Sequence, residues 1–119
     1  MNQYNWAAIP REELNPKAVR QAIHTERMTI ARLVLRQGAM VPMHHHENEQ
    51  VTIMESGALR FVFAGRDKDR EIVVRAGEVV QIPPYIPHTV EALEDSTVTD
   101  LFSPRREDWI RDVDAYLWR

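Results

Sequence analysis

The sequence predicts an all-β fold, a small closed barrel or jelly roll. Short runs of β-branched and aliphatic residues succeed one another from about residue 18, glycines and prolines fall between them, and no βαβ rhythm links them. Asn15-Pro16 opens the series. Residues 18–23 read as the first strand, although Asn15 as a cap with Pro16 at the first helical position also permits a helical turn. The next run, 28–35, ends at Gln37-Gly38-Ala39, and 51–54 ends at Glu55-Ser56-Gly57. Residues 59–63 lead into the charged turn Gly65-Arg66-Asp67-Lys68-Asp69-Arg70, after which 72–74 ends at Ala76-Gly77. Residues 79–82 stop at Pro83-Pro84, and 97–102 stop at Ser103-Pro104. Between strands, a positive φ or a missing N–H does least harm. Beyond Pro104, the spacing of Trp109, Ile110, Val113, Tyr116 and Leu117 suits one side of a short packed helix or tail.

At 119 residues the chain is expected to form one domain, with an N-terminal segment 1–17, a barrel over about 18–103 and a C-terminal tail 104–119. Its 15 basic and 18 acidic residues leave a net charge of −3, and no basic block extends beyond Arg105-Arg106, so no nucleic-acid partner is expected. The absence of cysteine excludes disulfides and thiolate metal sites. The first residues carry no basic stretch followed by an apolar one, and no apolar run approaches the roughly 20 residues that span a bilayer. The expectation is a soluble, cytoplasmic protein with no membrane partner.

The most informative stretch runs from Gly38 to Gln50, with His44-His45-His46 near its centre. In extended backbone successive side chains alternate faces, so His44 and His46 project to one side and His45 to the other. Gln50 shares their parity, and its amide oxygen is a third candidate ligand if the strand stays regular. The fourth is His88, returned from a distance by the proline-stiffened run Pro83-Pro84-Tyr85-Ile86-Pro87. Taken singly, each histidine reads as a core or surface residue. Their joint spacing with flanking glycines and a proline favours a site for one divalent transition metal ion. Nitrogen-rich ligation with one amide oxygen suits Ni, Zn, Fe, Mn or Co without choosing among them. A purely structural metal site is the plainer alternative, although such sites favour cysteine and four filled positions.

These residues resemble the two motifs of the cupin superfamily, G-x5-H-x-H-x(3,4)-E-x6-G and G-x5-P-x-G-x2-H-x3-N. Gly38, His44, His46, Gly57, Gly77, Pro83 and His88 match, whereas Gln50, Tyr85 and Ala92 stand where Glu, Gly and Asn are usual. The resemblance implies a cupin jelly roll over nearly the whole chain, with His44, His46, Gln50 and His88 as metal ligands and positions left open for water or substrate. The departure at Gln50 is chemical. A glutamate would cancel one of the two metal charges; a neutral amide leaves both, and the site then prefers an anionic guest.

In Thr97-Val98-Thr99-Asp100-Leu101-Phe102, alternation puts Val98, Asp100 and Phe102 on one face. A carboxylate inside a strand of a small barrel is costly unless it is paired or meets a wet cavity. Asp100 reads either as a salt-bridge partner of Arg32 or Arg60, or as a general acid/base beside the metal. In the second case Phe102 is an apolar wall and Arg106 a bidentate clamp for a carboxylate. The stretch from Asp100 to Trp109, with the histidine motif and the Pro-Pro-Tyr-Ile-Pro-His turn, is similar to the KdgF-type cupins of pectin and alginate degradation. That resemblance implies linearisation of a small anionic sugar acid, a 4,5-unsaturated monouronate, to open-chain 5-keto-4-deoxyuronate. It implies Asp100, Phe102 and Arg106 as the substrate and catalytic face. It also implies a homodimer, paired through N-terminal strands or outer sheet faces. Two other readings stay open: a metal-dependent dioxygenase or lyase acting on another small anionic substrate, and a non-catalytic cupin that binds a sugar or other small molecule.

Overall fold

The computed structural model describes residues 1–119. Its strands are β1 (Glu12–Asn15), β2 (Ala18–His24), β3 (Thr29–Leu35), β4 (Met40–His44), β5 (Glu49–Ser56), β6 (Ala58–Phe63), β7 (Arg70–Arg75), β8 (Val79–Ile82), β9 (His88–Ala92) and β10 (Ser96–Ser103). One sheet has the order β1-β2-β3-β10-β5-β8 and the other β4-β9-β6-β7, and every pairing is antiparallel. Side chains of both sheets share one apolar core, with Phe61, Leu59 and Val90 from the smaller sheet and Met54, Val98 and Phe102 from the larger.

All the strands expected from the sequence are present. Three more, β1, β4 and β9, lack the apolar alternation that would announce them. β1 is a charged edge strand, and β4 carries Pro42 at the edge of the smaller sheet, where a missing N–H is tolerated. β9 begins directly after a proline-rich turn and includes a histidine and a glutamate. The turn between β5 and β6 depends on Gly57 at φ +86°. A Cβ there would overlap the Ser96 side chain and the Asp95 carbonyl.

The tail is the short helix or tail expected, but its apolar residues do not share one side. It forms a single α-turn, α1 (Glu107–Ile110), and a 3₁₀ turn over Ala115–Trp118. Asp112, at φ +58°, breaks the helical path between them. Trp109, Leu117 and Trp118 are buried, but Ile110, Val113 and Tyr116 are exposed, because one turn cannot carry five residues spread over 109–117 on one side. What holds the tail is an ion pair inside the barrel. Arg20, on β2, donates to Asp114 Oδ2 at 2.8 Å and lies 4.1 Å from the Trp109 ring centroid. Trp118 Nε1 donates to the same oxygen at 2.9 Å. At the other terminus, Gln21 Nε2 donates to the carbonyls of Trp6 and Ile9, fastening that segment to β2. No helix is long and apolar enough to cross a membrane.

Arg20 and Asp114 are both at most 5% exposed, and the other carboxylate on Arg20, Glu12 at 3.3 Å, is 45% exposed. Removing Asp114 therefore takes away the closer and only buried partner of a buried guanidinium. Asp114→Ala is expected to cost about 3 kcal/mol in urea denaturation, the scale of a broken buried ion pair.

Candidate metal centre

His44 ends β4 and His88 begins β9, and the two face each other across the antiparallel pair with ring centroids 4.4 Å apart. His46 lies in the connection between β4 and β5, and Gln50 lies on β5 in the opposite sheet. The chain therefore changes sheets between His44 and Gln50. The regular strand assumed from parity does not exist beyond His44, and convergence comes from the crossing itself. One ligand atom from each of His44, His46 and His88 lies within 4.8 Å of the others. Gln50 Oε1 is 3.1 Å from His46 Nε2. His45 is exposed, with its ring 6.4 Å from that of Tyr85.

Hydrogen bonds decide which ring nitrogen faces inward. His44 Nδ1 meets the Pro42 carbonyl at 2.8 Å, His88 Nδ1 the Ile86 carbonyl at 2.8 Å, and His46 Nδ1 the Asn48 carbonyl at 3.0 Å. Each bond needs the proton on Nδ1, and a neutral imidazole has only one, so Nε2 is left as a bare acceptor in all three. Burial holds all three rings below their ordinary range, His46 and His88 down to about 4, with Arg106 adding to the effect. His46 Nε2 and Gln50 Oε1 are then two acceptors facing each other with no proton between them, a contact that a cation relieves. Ligand atoms around one ion at about 2.1 Å lie at most about 4.2 Å apart, so small side-chain torsions close this cluster. The donor set fits a divalent metal, and the carbonyl-held Nδ1 protons are the outer bonds that orient metal-bound imidazoles.

Asp100 and Phe102 face the same interior. The β5–β10 register sets Asp100 opposite Thr52 and Phe102 opposite Gln50. Thr52 Oγ1 donates to Asp100 Oδ1 at 2.5 Å and accepts from Gln50 Nε2 at 3.0 Å. Burial pushes the Asp100 carboxyl up to about 6, opposed by the Thr52 hydroxyl, the Arg106 charge and the Gln50 amide. The salt-bridge reading of Asp100 is not what forms: Arg32 pairs with Glu55 at 3.5 Å and Arg60 with Glu91 at 3.0 Å.

Arg106 is buried, with its guanidinium carbon 4.8 Å from the Phe102 ring centroid and 4.5 Å from that of Trp109. Its Nε and Nη2 donate to the two Asp108 carboxylate oxygens at 2.9 and 2.7 Å. The edge expected to clamp a guest carboxylate is thus taken by Asp108, which leaves Nη1 unengaged by it. A cavity is lined by His44, Gln50, His88, Asp100, Phe102 and Arg106 together with apolar core residues.

Sequence reasoning misses three polar residues here: Thr52, Asn48 and Asp108. Asn48 is buried and donates from Nδ2 to the carbonyls of Pro104 and Arg105, tying the histidine connection to the tail. Thr52 had one readable signal, its shared parity with Gln50 on a strand whose third inward residue is Met54.

Two antiparallel sheets closed around inward imidazoles define the class of protein. The chain belongs to the cupin family, whose model matches residues 2–104. Among solved structures, an RmlC-like cupin from Shewanella frigidimarina superimposes with a TM-score of 0.79 at 22% identity, covering 89% of this chain and 93% of that one. KdgF from Halomonas sp. matches with a TM-score of 0.74 at 29% identity, covering 84% of this chain and 92% of that one. A Bacillus subtilis oxalate decarboxylase gives a TM-score of 0.76 at 16% identity, covering 85% of this chain and 29% of that one. A search of curated proteins returned no match.

The depressed histidines bear on stability. Between the ordinary value of 6.5 and about 4, His46 and His88 take up protons in the unfolded chain but not in the metal-free fold. Their contribution is present above 6.5 and is lost as pH falls through that window. Asp100, raised from 3.8 to about 6, acts oppositely: its contribution is present at low pH and is lost as pH rises through about 6. The histidines outnumber it. The Tm of the metal-free protein, followed by circular dichroism, is expected to fall from pH 7 to pH 5, and to fall more steeply in Asp100→Asn.

Proposed function

We propose that the protein linearises 4,5-unsaturated monouronates, with His44, His46, Gln50 and His88 holding a divalent metal ion. The observation that carries this reading is the buried carboxylate of Asp100, joined through Thr52 to Gln50 and sharing one cavity with Arg106. The 29% identity with KdgF supports it. When bound, the ion supplies positive charge against the oxygen anion that develops as the ring opens, undiminished by its neutral ligands.

The substrate is a cyclic hemiacetal, an enol ether and a carboxylate at once. Asp100 takes the proton of the anomeric hydroxyl; the electron pair left behind forms the aldehyde C=O as the ring C–O bond breaks. The ring oxygen departs as the C5 enolate, and Asp100 returns the proton to C4, so that the enolate collapses to the 5-keto group. Atoms and electrons balance as an isomerisation with no oxidant. A carboxyl poised near 6 suits both halves of that transfer at neutral pH. Phe102 walls the ring, and the Nη1 end of Arg106 meets the substrate carboxylate, its other edge steadied by Asp108.

We also read the outward face of the larger sheet as the surface on which two copies pair. Ile30, Leu101 and Val51 adjoin one another across β3, β10 and β5, with Ile53 and Val79 beside them, all partly or fully exposed. An outward face of an antiparallel sheet is ordinarily polar, and an apolar one is covered by a partner.

Both readings have direct tests. Metal-loaded protein is expected to speed the loss of enol-ether ultraviolet absorbance of unsaturated monouronates derived from galacturonate or from mannuronate and guluronate, equally with and without dioxygen. Asp100→Ala is expected to lower kcat by about 10²–10⁴ while still binding metal. No acceleration over the spontaneous reaction sinks the uronate reading. Sedimentation equilibrium is expected to give twice the chain mass, and the monomer for Ile53→Glu.

A further inference from the structure

Gln50 is an asymmetric candidate ligand: its amide oxygen can bind a cation, but its amide nitrogen has no lone pair to offer. Nothing in the amide's own shape favours one orientation. Without a metal, the local hydrogen bonding nearest His46 favours the wrong one. Turned over, the Gln50 –NH₂ could donate to His46 Nε2, which is otherwise a bare acceptor 3.1 Å away. The cluster would then satisfy itself and close the position to a metal.

The opposite end of the amide meets Thr52, which is 1% exposed. A hydroxyl has a single proton. Thr52 directs it at Asp100 Oδ1, at 2.5 Å, the length of a charge-assisted O–H···O⁻ bond. Toward Gln50 the Thr52 oxygen can therefore only accept. That draws the amide –NH₂ toward Thr52, at 3.0 Å, against the pull of His46, and leaves Oε1 facing His46 and the metal position. The flipped amide would set Oε1 against an oxygen whose proton is already committed, leaving a buried acceptor pair unsatisfied.

We propose that Thr52 is a positioning residue: by committing its one hydroxyl proton to Asp100 it fixes the Gln50 amide with oxygen toward the metal. The inference rests on the reading of Gln50 as a ligand and deepens it. It also links the groups assigned to metal binding and to proton transfer through one hydroxyl, with no contact between Thr52 and the metal required.

The test is a double-mutant cycle read by metal affinity, with Zn(II) or Ni(II) titrated against a chromophoric chelator and no substrate present. Thr52→Val, which keeps the branched shape, is expected to weaken binding about 10–100-fold, the usual effect of losing an outer-shell partner. Thr52→Ser, which keeps the hydroxyl, is expected to stay within about threefold of the parent. In a Gln50→Glu background the two ligand oxygens are equivalent and there is no amide to orient, so Thr52→Val is expected to cost less than about threefold. Equal losses in both backgrounds would mean that Thr52 matters only to packing, and would overturn the proposal, as would unchanged affinity in Thr52→Val. Should valine prevent folding, Thr52→Ala goes through the same cycle, with the same outcomes deciding. Failure of the parent protein to bind metal would remove the metal reading itself. A parent that binds metal but turns over no uronate would remove the substrate and leave this inference standing.

Discussion

Three imidazoles inside a barrel cannot keep a charge, and a neutral ring has one proton to place. Here that proton goes each time to a main-chain carbonyl two residues away, at Pro42, Asn48 or Ile86. The carbonyls belong to the ends of strands or to the connection between sheets, so ring orientation is inherited from backbone geometry and needs no flexible side chain to maintain it. Inward Nε2 lone pairs, low affinity for protons and readiness for a cation are three consequences of that one arrangement. Without it the same histidines could pair among themselves, as buried polar groups otherwise do.

The second side of the cavity is held in place by the tail, through charge and aromatic surface together. Arg106 stacks on Phe102 and Trp109 and is gripped by Asp108, while Trp109 also carries the guanidinium of Arg20. Arg20 in turn binds Asp114, which accepts from Trp118. Two buried cations and two carboxylates thus bracket one indole. Closure of the barrel end and placement of the Arg106 fork are one packing problem, because an unpaired guanidinium at either position would be a buried charge without compensation. A short tail with one helical turn suffices because side-chain pairing, rather than helix propensity, holds it.

What the sequence reveals of this arrangement follows the range of the interaction. β3 and β10 are legible because buried and half-buried positions alternate along their length, which is a local pattern. β4 and β9 are not, since an edge strand with Pro42 and a strand opening on His88 are defined by what they pair with. The histidines and Gln50 are legible as spacing, yet the parity argument that joins them fails after His44, where the chain crosses to the other sheet. Asp100 stands out as a carboxylate among apolar neighbours. Thr52 does not, because its role depends on cross-strand register, and a one-residue slip would turn it to the outside. Asp108 has the look of an ordinary helix-start acid until the fold sets Arg106 against it.

The departure from the usual cupin glutamate at position 50 belongs with the carboxylate at position 100. A glutamate there would set two anions on the single proton of Thr52, and like charges sharing one donor drive a pKa strongly upward. Burial already lifts Asp100 to about 6; a further rise would keep it protonated at neutral pH and unable to accept a proton from a hydroxyl. The neutral amide avoids this. Its oxygen serves the cation position, its nitrogen donates toward Thr52, and it adds no charge to compete with Asp100. In the proposed reading the same neutrality would leave the metal charge whole for an anionic guest. Glutamine at 50, threonine at 52 and aspartate at 100 are therefore a single electrostatic arrangement, spread over two strands and joined by one hydroxyl proton.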